Sequence, residues 1–153
     1  MRLNWSETLP EAGPAMRAVS KIAHSSTLEP FLLELVNIRA SQINGCAHCL
    51  DMHTKDAKAM GETDQRMHLV AAWRESPVYS DRERAALAWT EALTLLPETG
   101  APDDVYQQVA DVFSPEEQVA LTMAITTINT WNRLAVGFRA EVGNYVSRRS
   151  ALV

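Results

Sequence analysis

Both cysteines of this 153-residue chain fall in Cys46-Ala47-His48-Cys49, and His53 follows four residues after the second. Spacings of three and four put side chains on one face of a helix. Two thiols so placed can close into a disulfide, and an imidazole beside them can exchange a proton or steady a thiolate. Asn44-Gly45 immediately before Cys46 is a turn signal, so Cys46 opens a helix. The free N–H groups and positive dipole end at that point favour an anion, which predicts that Cys46 is the more acidic thiol. His48 lies between the cysteines and projects away from their stripe, where it either tunes access or is simply exposed.

A carboxylate is the next candidate. Glu34 interrupts the apolar run Phe31-Leu32-Leu33-Glu34-Leu35-Val36, and its helical stripe continues through Asn37, Ile38, Ser41 and Gly45 towards the cysteines. Apolar surroundings raise a carboxyl pKa, so Glu34 could serve as a general base, taking a thiol proton through His53 or a water. It could equally pair with an arginine on another helix. The cysteines have alternative readings too. They could be two buried small apolar side chains. With His53 they could ligate zinc, completed by water, His48 or a carboxylate, although the second CxxC or HxxxH usual for structural zinc is absent. The expectation is a redox-active dithiol with no bound metal and no cofactor. His24 and His68 have no evident partners and are expected to be structural or at the surface. The four tryptophans and six methionines are expected to fill the core.

The elements that must position these residues read as helix after helix. Predicted spans are 15–24, 30–43 with Pro30 in its first turn, 46–61, 64–75, 81–97, 103–112 and 115–141, with a helical tail possible after that. Ser114-Pro115-Glu116-Glu117 supplies a cap, a proline at the helix start and acids that suit the dipole. No segment alternates with period two between turn signals. The fold class is therefore all-α, a compact bundle of about seven helices, in one domain spanning 1–153. A chain of this length buries a core without a disulfide or metal staple.

Composition narrows the function. The net charge of −5 lacks the basic footprint of a nucleic-acid binder, and Arg148-Arg149 reads as a solvated tail. The start, MRLNWSETLPEAGPAM, is not a secretory signal. The most apolar stretch, 119–138, carries Thr122, Thr126, Thr127, Asn129, Thr130, Asn132 and Arg133, too many polar groups for a membrane span. A cytoplasmic protein is expected, and in that reducing compartment a CxxC pair is more often catalytic, redox-active or metal-binding than structural.

The segment from Arg39 to Ala57, RASQINGCAHCLDMHTKDA, closely resembles the core motif of the alkylhydroperoxidase D-like proteins of the carboxymuconolactone decarboxylase superfamily. Glu34, twelve residues before Cys46, falls where that family keeps its proton-relay glutamate, and Asn129-Thr130-Trp131-Asn132-Arg133-Leu134-Ala135 is similar to a second, weaker signature. The resemblance implies an all-helical fold that assembles as trimers or hexamers, and a thiol peroxidase acting in antioxidant defence. In the implied cycle Glu34, a water and His53 deprotonate Cys49, which attacks the hydroperoxide and becomes a sulfenic acid. Cys46 condenses with it, and a dithiol protein or small thiol reduces the disulfide. His48 matches a further active-site histidine of some members. Cys46, as the exposed sulfur near the helix start, would be the one attacked by the reductant. A disulfide reductase, a redox adaptor or a redox-sensing module using the same pair are the alternatives. A decarboxylase is less favoured, because that branch typically lacks the two cysteines.

Overall fold

A computed structural model describes residues 1–149, and within them every regular element is helical. The elements are α1 (Trp5–Thr8), α2 (Ala12–His24), α3 (Pro30–Ile43), α4 (Ala47–Met60), α5 (Asp64–Leu69), α6 (Asp81–Thr94), α7 (Leu96–Thr99), α8 (Asp103–Val112) and α9 (Pro115–Phe138), with a 3₁₀ turn at Val70–Ala72. The all-α bundle is thus as expected, with seven longer helices and two short ones. No described helix is long and apolar enough to cross a membrane.

Helix α3 is the axis. Its residues Leu32 to Ile38 are all buried, including Glu34 and Asn37, because it packs against α4, α6 and α9 on different sides. One apolar cluster joins it to α6, α8 and α9 through Leu32, Val36, Trp89, Val109, Leu121 and Ile125. A second, on its other side, gathers Leu35, Ile38, Ala57, Val70, Trp73 and Leu87. A small third one holds Ala40, Cys46, Cys49 and Ile128. Glu34 therefore sits on this central helix, and the cysteines and His53 lie on or beside α4, which packs against it.

Local sequence sets the helix ends. Ser80 with Glu83 and Ser114 with Glu117 each form a reciprocal capping box at the starts of α6 and α9. Gly61 ends α4 in the left-handed region at φ 109°. Several boundaries differ from the sequence reading. Helix α2 begins at Ala12, with Pro14 inside its first turn, where a missing N–H costs nothing. The helix expected over 64–75 runs only to Leu69 before the chain tightens into the 3₁₀ turn that buries Val70 and Trp73. The helix expected to stop at Pro97 stops at Thr94, and Pro97 instead opens the short α7. Helix α9 ends at Phe138, where Arg139 takes a left-handed cap at φ 57°. The tail after it is no helix within the described residues; it is an irregular strap lying back along α4.

Contacts tie this strap down. Lys55 Nζ donates to the carbonyls of Gly143 and Tyr145 at 3.3 and 3.0 Å, and Gly143 N–H donates to Asp51 Oδ2 at 3.1 Å. The Tyr145 and Ser147 hydroxyls donate to the buried Asp56 carboxylate, Ser147 at 2.5 Å.

Candidate active site

The turn between α3 and α4 places the cysteines. Asn44 closes α3, Gly45 supplies φ 63°, and Cys46 N–H returns to the Ser41 carbonyl at 2.9 Å. A Cβ at position 45 would meet nothing, so only the backbone angle demands glycine here. Cys46 then becomes the N-cap of α4: its Sγ accepts from the Cys49 backbone N–H at 3.3 Å. Serine or aspartate usually fills that position, and a thiolate satisfies the same orphan donors.

The two sulfurs differ sharply in environment although each residue is 1% exposed. Cys49 lines a cavity of about 430 Å³ enclosed by α1, α2, α3, α4, α9 and the strap, and Cys46 lies behind it, outside the lining. The Cys46 thiol is lowered to about 6, chiefly by the hydrogen bond from the Cys49 thiol, with the Cys49 backbone N–H and the Asn132 amide acting the same way against burial. The Cys49 thiol is pushed up, by that same hydrogen bond, by burial and by the neighbouring Cys46 charge. The reduced pair therefore carries its negative charge on Cys46 and its proton on Cys49. This corrects the expectation that Cys46 is the exposed sulfur. The N-cap that makes it acidic also seals it between α3, α4 and α9.

Glu34 and His53 meet in the cavity wall. Glu34 Oε2 accepts from His53 Nδ1 at 2.7 Å, with the side chains 3% and 11% exposed. The carboxylate fixes the tautomer, so Nε2 is the ring nitrogen left for proton exchange. His53 is one turn after Cys49 on α4 and lines the same cavity. Among the described residues the ion-pair partner of Glu34 is this histidine and not an arginine. His48, set off the cysteine stripe in the sequence, also reaches the cavity, because its Nδ1 donates to the Glu141 carbonyl of the strap at 2.6 Å. Among the described residues no three His, Cys, Asp or Glu side chains are arranged to hold a metal ion.

The sequence reading missed several residues of this region. Asn132 is 1% exposed and donates to Ser41 Oγ at 3.0 Å while accepting from Asn44 Nδ2 at 2.9 Å. Asn44 also donates to Asn129, which in turn donates to Thr94 Oγ1. A fully partnered amide network thus lies behind the sulfurs, where an apolar core would leave a thiolate unsolvated. Its signs in the sequence were the polar residues of an otherwise apolar helix and the resemblance of 129–135 to a family signature, neither of which assigned these amides to the sulfurs. His24 is exposed, as expected, but it also lines the cavity, its pKa lowered by desolvation and then by the Arg149 charge. Trp5 and Trp131 line the cavity with ring centroids 5.9 Å apart, while Trp73 and Trp89 belong to the core. Arg149, expected in a solvated tail, lines the cavity as well.

The model for the carboxymuconolactone decarboxylase family matches residues 10–92. The chain belongs to that family. Within it the chain is alkylhydroperoxidase D-like. It is 47% identical, with a TM-score of 0.90, to the crystal structure of a protein of unknown function from Agrobacterium tumefaciens for which the role of antioxidant defence protein AhpD has been suggested. That match covers 94% of this chain and 99% of the other. YdfG of Bacillus subtilis, itself uncharacterised, is 42% identical over 88% of this chain and 92% of its own length. The debrominase Bmp8 shares the fold at 18% identity and a TM-score of 0.80, over 90% of this chain and 74% of Bmp8. These relatives show the family and the AhpD-like fold and do not assign an activity or a substrate.

Proposed function

We propose that this chain is a thiol-dependent peroxidase that reduces organic hydroperoxides through a Cys46–Cys49 disulfide. The observation that carries the reading is the convergence of Cys49, His53 and Glu34 on one cavity while Cys46 caps the helix directly behind. A thiol pushed up as Cys49 is does not ionise unaided near neutrality, so it requires a base, and the Glu34–His53 pair is the buried base within one helical turn. In the proposed cycle His53 takes the Cys49 proton, directly or through a water. The Cys49 thiolate attacks the terminal peroxide oxygen, the O–O bond breaks, and the alkoxide leaves as the alcohol with the proton returned by His53. Cys49 is now a sulfenic acid. The Cys46 thiolate attacks the Cys49 sulfur, and hydroxide leaves and is protonated to water. The balance is ROOH plus two thiols giving ROH, water and a disulfide.

Reduction of the disulfide follows from the same asymmetry. Cys49 is the sulfur that opens on the cavity, so the incoming thiolate attacks there, and Cys46 departs as the low-pKa leaving group. An external dithiol or small thiol supplies the two electrons. A disulfide reductase acting on folded proteins is less well supported, because the accessible sulfur lies inside a cavity and not on a flat surface. The proposal carries with it one catalytic domain, a cytoplasmic setting and assembly as a trimer or hexamer.

The test is to mix the reduced protein with a small excess of tert-butyl or cumene hydroperoxide and follow free thiols, the disulfide-linked peptide and the alcohol. Rapid loss of both thiols with one equivalent of alcohol is expected. Thiols that survive unchanged would sink direct peroxidase activity.

A further inference from the structure

The cavity above Cys49 has a distribution of charge that the thiol chemistry does not require. Its two carboxylates are engaged: Glu34 with His53, and Asp56 with the Tyr145 and Ser147 hydroxyls. Its two guanidiniums are not. Arg17 of α2 and Arg149 of the strap both line the cavity, both are exposed, and neither takes part in any ion pair of the described residues. They come from opposite ends of the chain. Arg17, Ser20 and His24 share one stripe of α2, spaced by three and four, and Arg149 sits close enough to lower His24. His24 beside them carries no negative charge that could offset them. The rest of the lining is predominantly apolar, with Ala23, Leu33, Ile128 and Trp131 among its residues. The chain as a whole carries −5, so unpaired positive charge at this mouth runs against the surrounding field.

Resting on the peroxidase reading, we infer that the preferred substrate is an elongated hydroperoxide with an anionic end, a carboxylate held between Arg17 and Arg149, its apolar body lying along α2 and α9 and its peroxide at Cys49. The cavity volume of about 430 Å³ lies within the range that encloses most of a ligand of that size. Guanidinium suits a carboxylate because it offers paired donors in a planar fork.

The experiment is single-turnover oxidation of the reduced full chain, which needs no reductant, with linoleic acid hydroperoxide, its methyl ester and cumene hydroperoxide. The acid is expected to react about ten times faster than the ester at low salt, since two partly solvated charged contacts are each worth a few-fold. Arg17→Gln and Arg149→Gln should each lower that acid-to-ester ratio several-fold, and together bring it to about one. Arg17→Lys should restore most of it. Lys21→Gln, an equal loss of charge on the same helix outside the cavity, should leave the ratio as it was. A wild-type ratio near one overturns the inference, and so does a high ratio that survives the double glutamine variant; in either case cumene hydroperoxide turnover still stands for the peroxidase reading. Loss of no thiols with any of the three removes both.

Discussion

The position of the negative charge in the reduced pair can be tested directly. The Cys46 thiol is lowered to about 6 from 9.0, with the Cys49 thiol hydrogen bond as the largest cause. At about pH 7 roughly nine-tenths of Cys46 is then thiolate, against about 1% for an unperturbed thiol. Cys49→Ala removes the S–H donor while leaving the backbone N–H at 3.3 Å and the Asn132 amide in place. A hydrogen bond to a charged acceptor contributes about 1.5–3 kcal/mol, or roughly 1–2 pK units. The midpoint should therefore rise to about 7–8. Cys49→Ser restores an O–H donor and should keep the midpoint near the wild-type one. The thiolate ultraviolet absorbance measured against pH reads this without reagent access, which matters for a residue 1% exposed. The sign is fixed: wild type loses its thiolate signal only as pH falls through about 6, and Cys49→Ala loses it at higher pH. If Cys49→Ala keeps the wild-type midpoint, the thiol hydrogen bond is not what acidifies Cys46. If the low midpoint persists in Cys46→Ser, the charge resides on Cys49 and the asymmetry argued here is inverted.

Three further outcomes are expected. Glu34→Gln keeps the shape of the pair but removes the charge that orients and loads His53, so single-turnover thiol oxidation should slow by roughly 10²- to 10⁴-fold, with a logarithmic rate that climbs one unit per pH unit as Cys49 ionises unaided; an unchanged rate and profile removes Glu34 from the chemistry. Asn132→Ala leaves Ser41 Oγ and an Asn44 donor short of a partner, which should cost about 1–3 kcal/mol in a urea melt and move the Cys46 midpoint upward, with Asn132→Asp moving it further. A midpoint indifferent to both shows that the amide network does not serve the sulfurs. Gly61→Ala at φ 109° should lose about 1–2 kcal/mol from strain alone, whereas Gly137→Ala, inside α9 with nothing near its Cβ, should gain about 0.5–1 kcal/mol; equal melting curves for the two would contradict the backbone argument.

Helix starts were more legible in the sequence than helix ends, for a physical reason. Ser80, Ser114, Thr63 and Pro30 announce themselves because a cap or an N1 proline acts locally, through side chain and backbone within one turn. The ends of α6 and α9, and the collapse of the 64–75 segment into a 3₁₀ turn, are decided by what the last turn packs against. Trp73 is drawn into the cluster with Leu87 and Val70, and its indole donates to Glu91, a partner eighteen residues away. The strap after Arg139 is of the same kind. Its backbone is held by Lys55 and Asp51, and its hydroxyls by Asp56, all of them on α4, so no local pattern in 139–149 specifies where it lies.

The site divides along the same line. The spacing of Cys46, Cys49 and His53 is a property of one helix, and their order along α4 follows from it. Which sulfur faces the cavity does not follow from spacing, because Cys46, Cys49 and His53 occupy one stripe whichever way that stripe is turned. It is set by the packing of α9 against the start of α4: Asn132 engages Cys46 behind the cavity, while Ile128 and Trp131 form part of the cavity wall on which Cys49 opens. The dipole argument correctly made Cys46 the acidic thiol, but acidity at an N-cap and access from solvent were assumed to go together. Here they are opposed. A thiolate engaged with the Cys49 N–H, the Cys49 thiol and Asn132 has its lone pairs spent on donors and its approach blocked by α9, whereas the protonated Cys49 has the cavity in front of it. Within the proposed cycle that opposition is useful. The sulfur that meets peroxide stays neutral until a base is in place, and the sulfur that resolves it is already an anion.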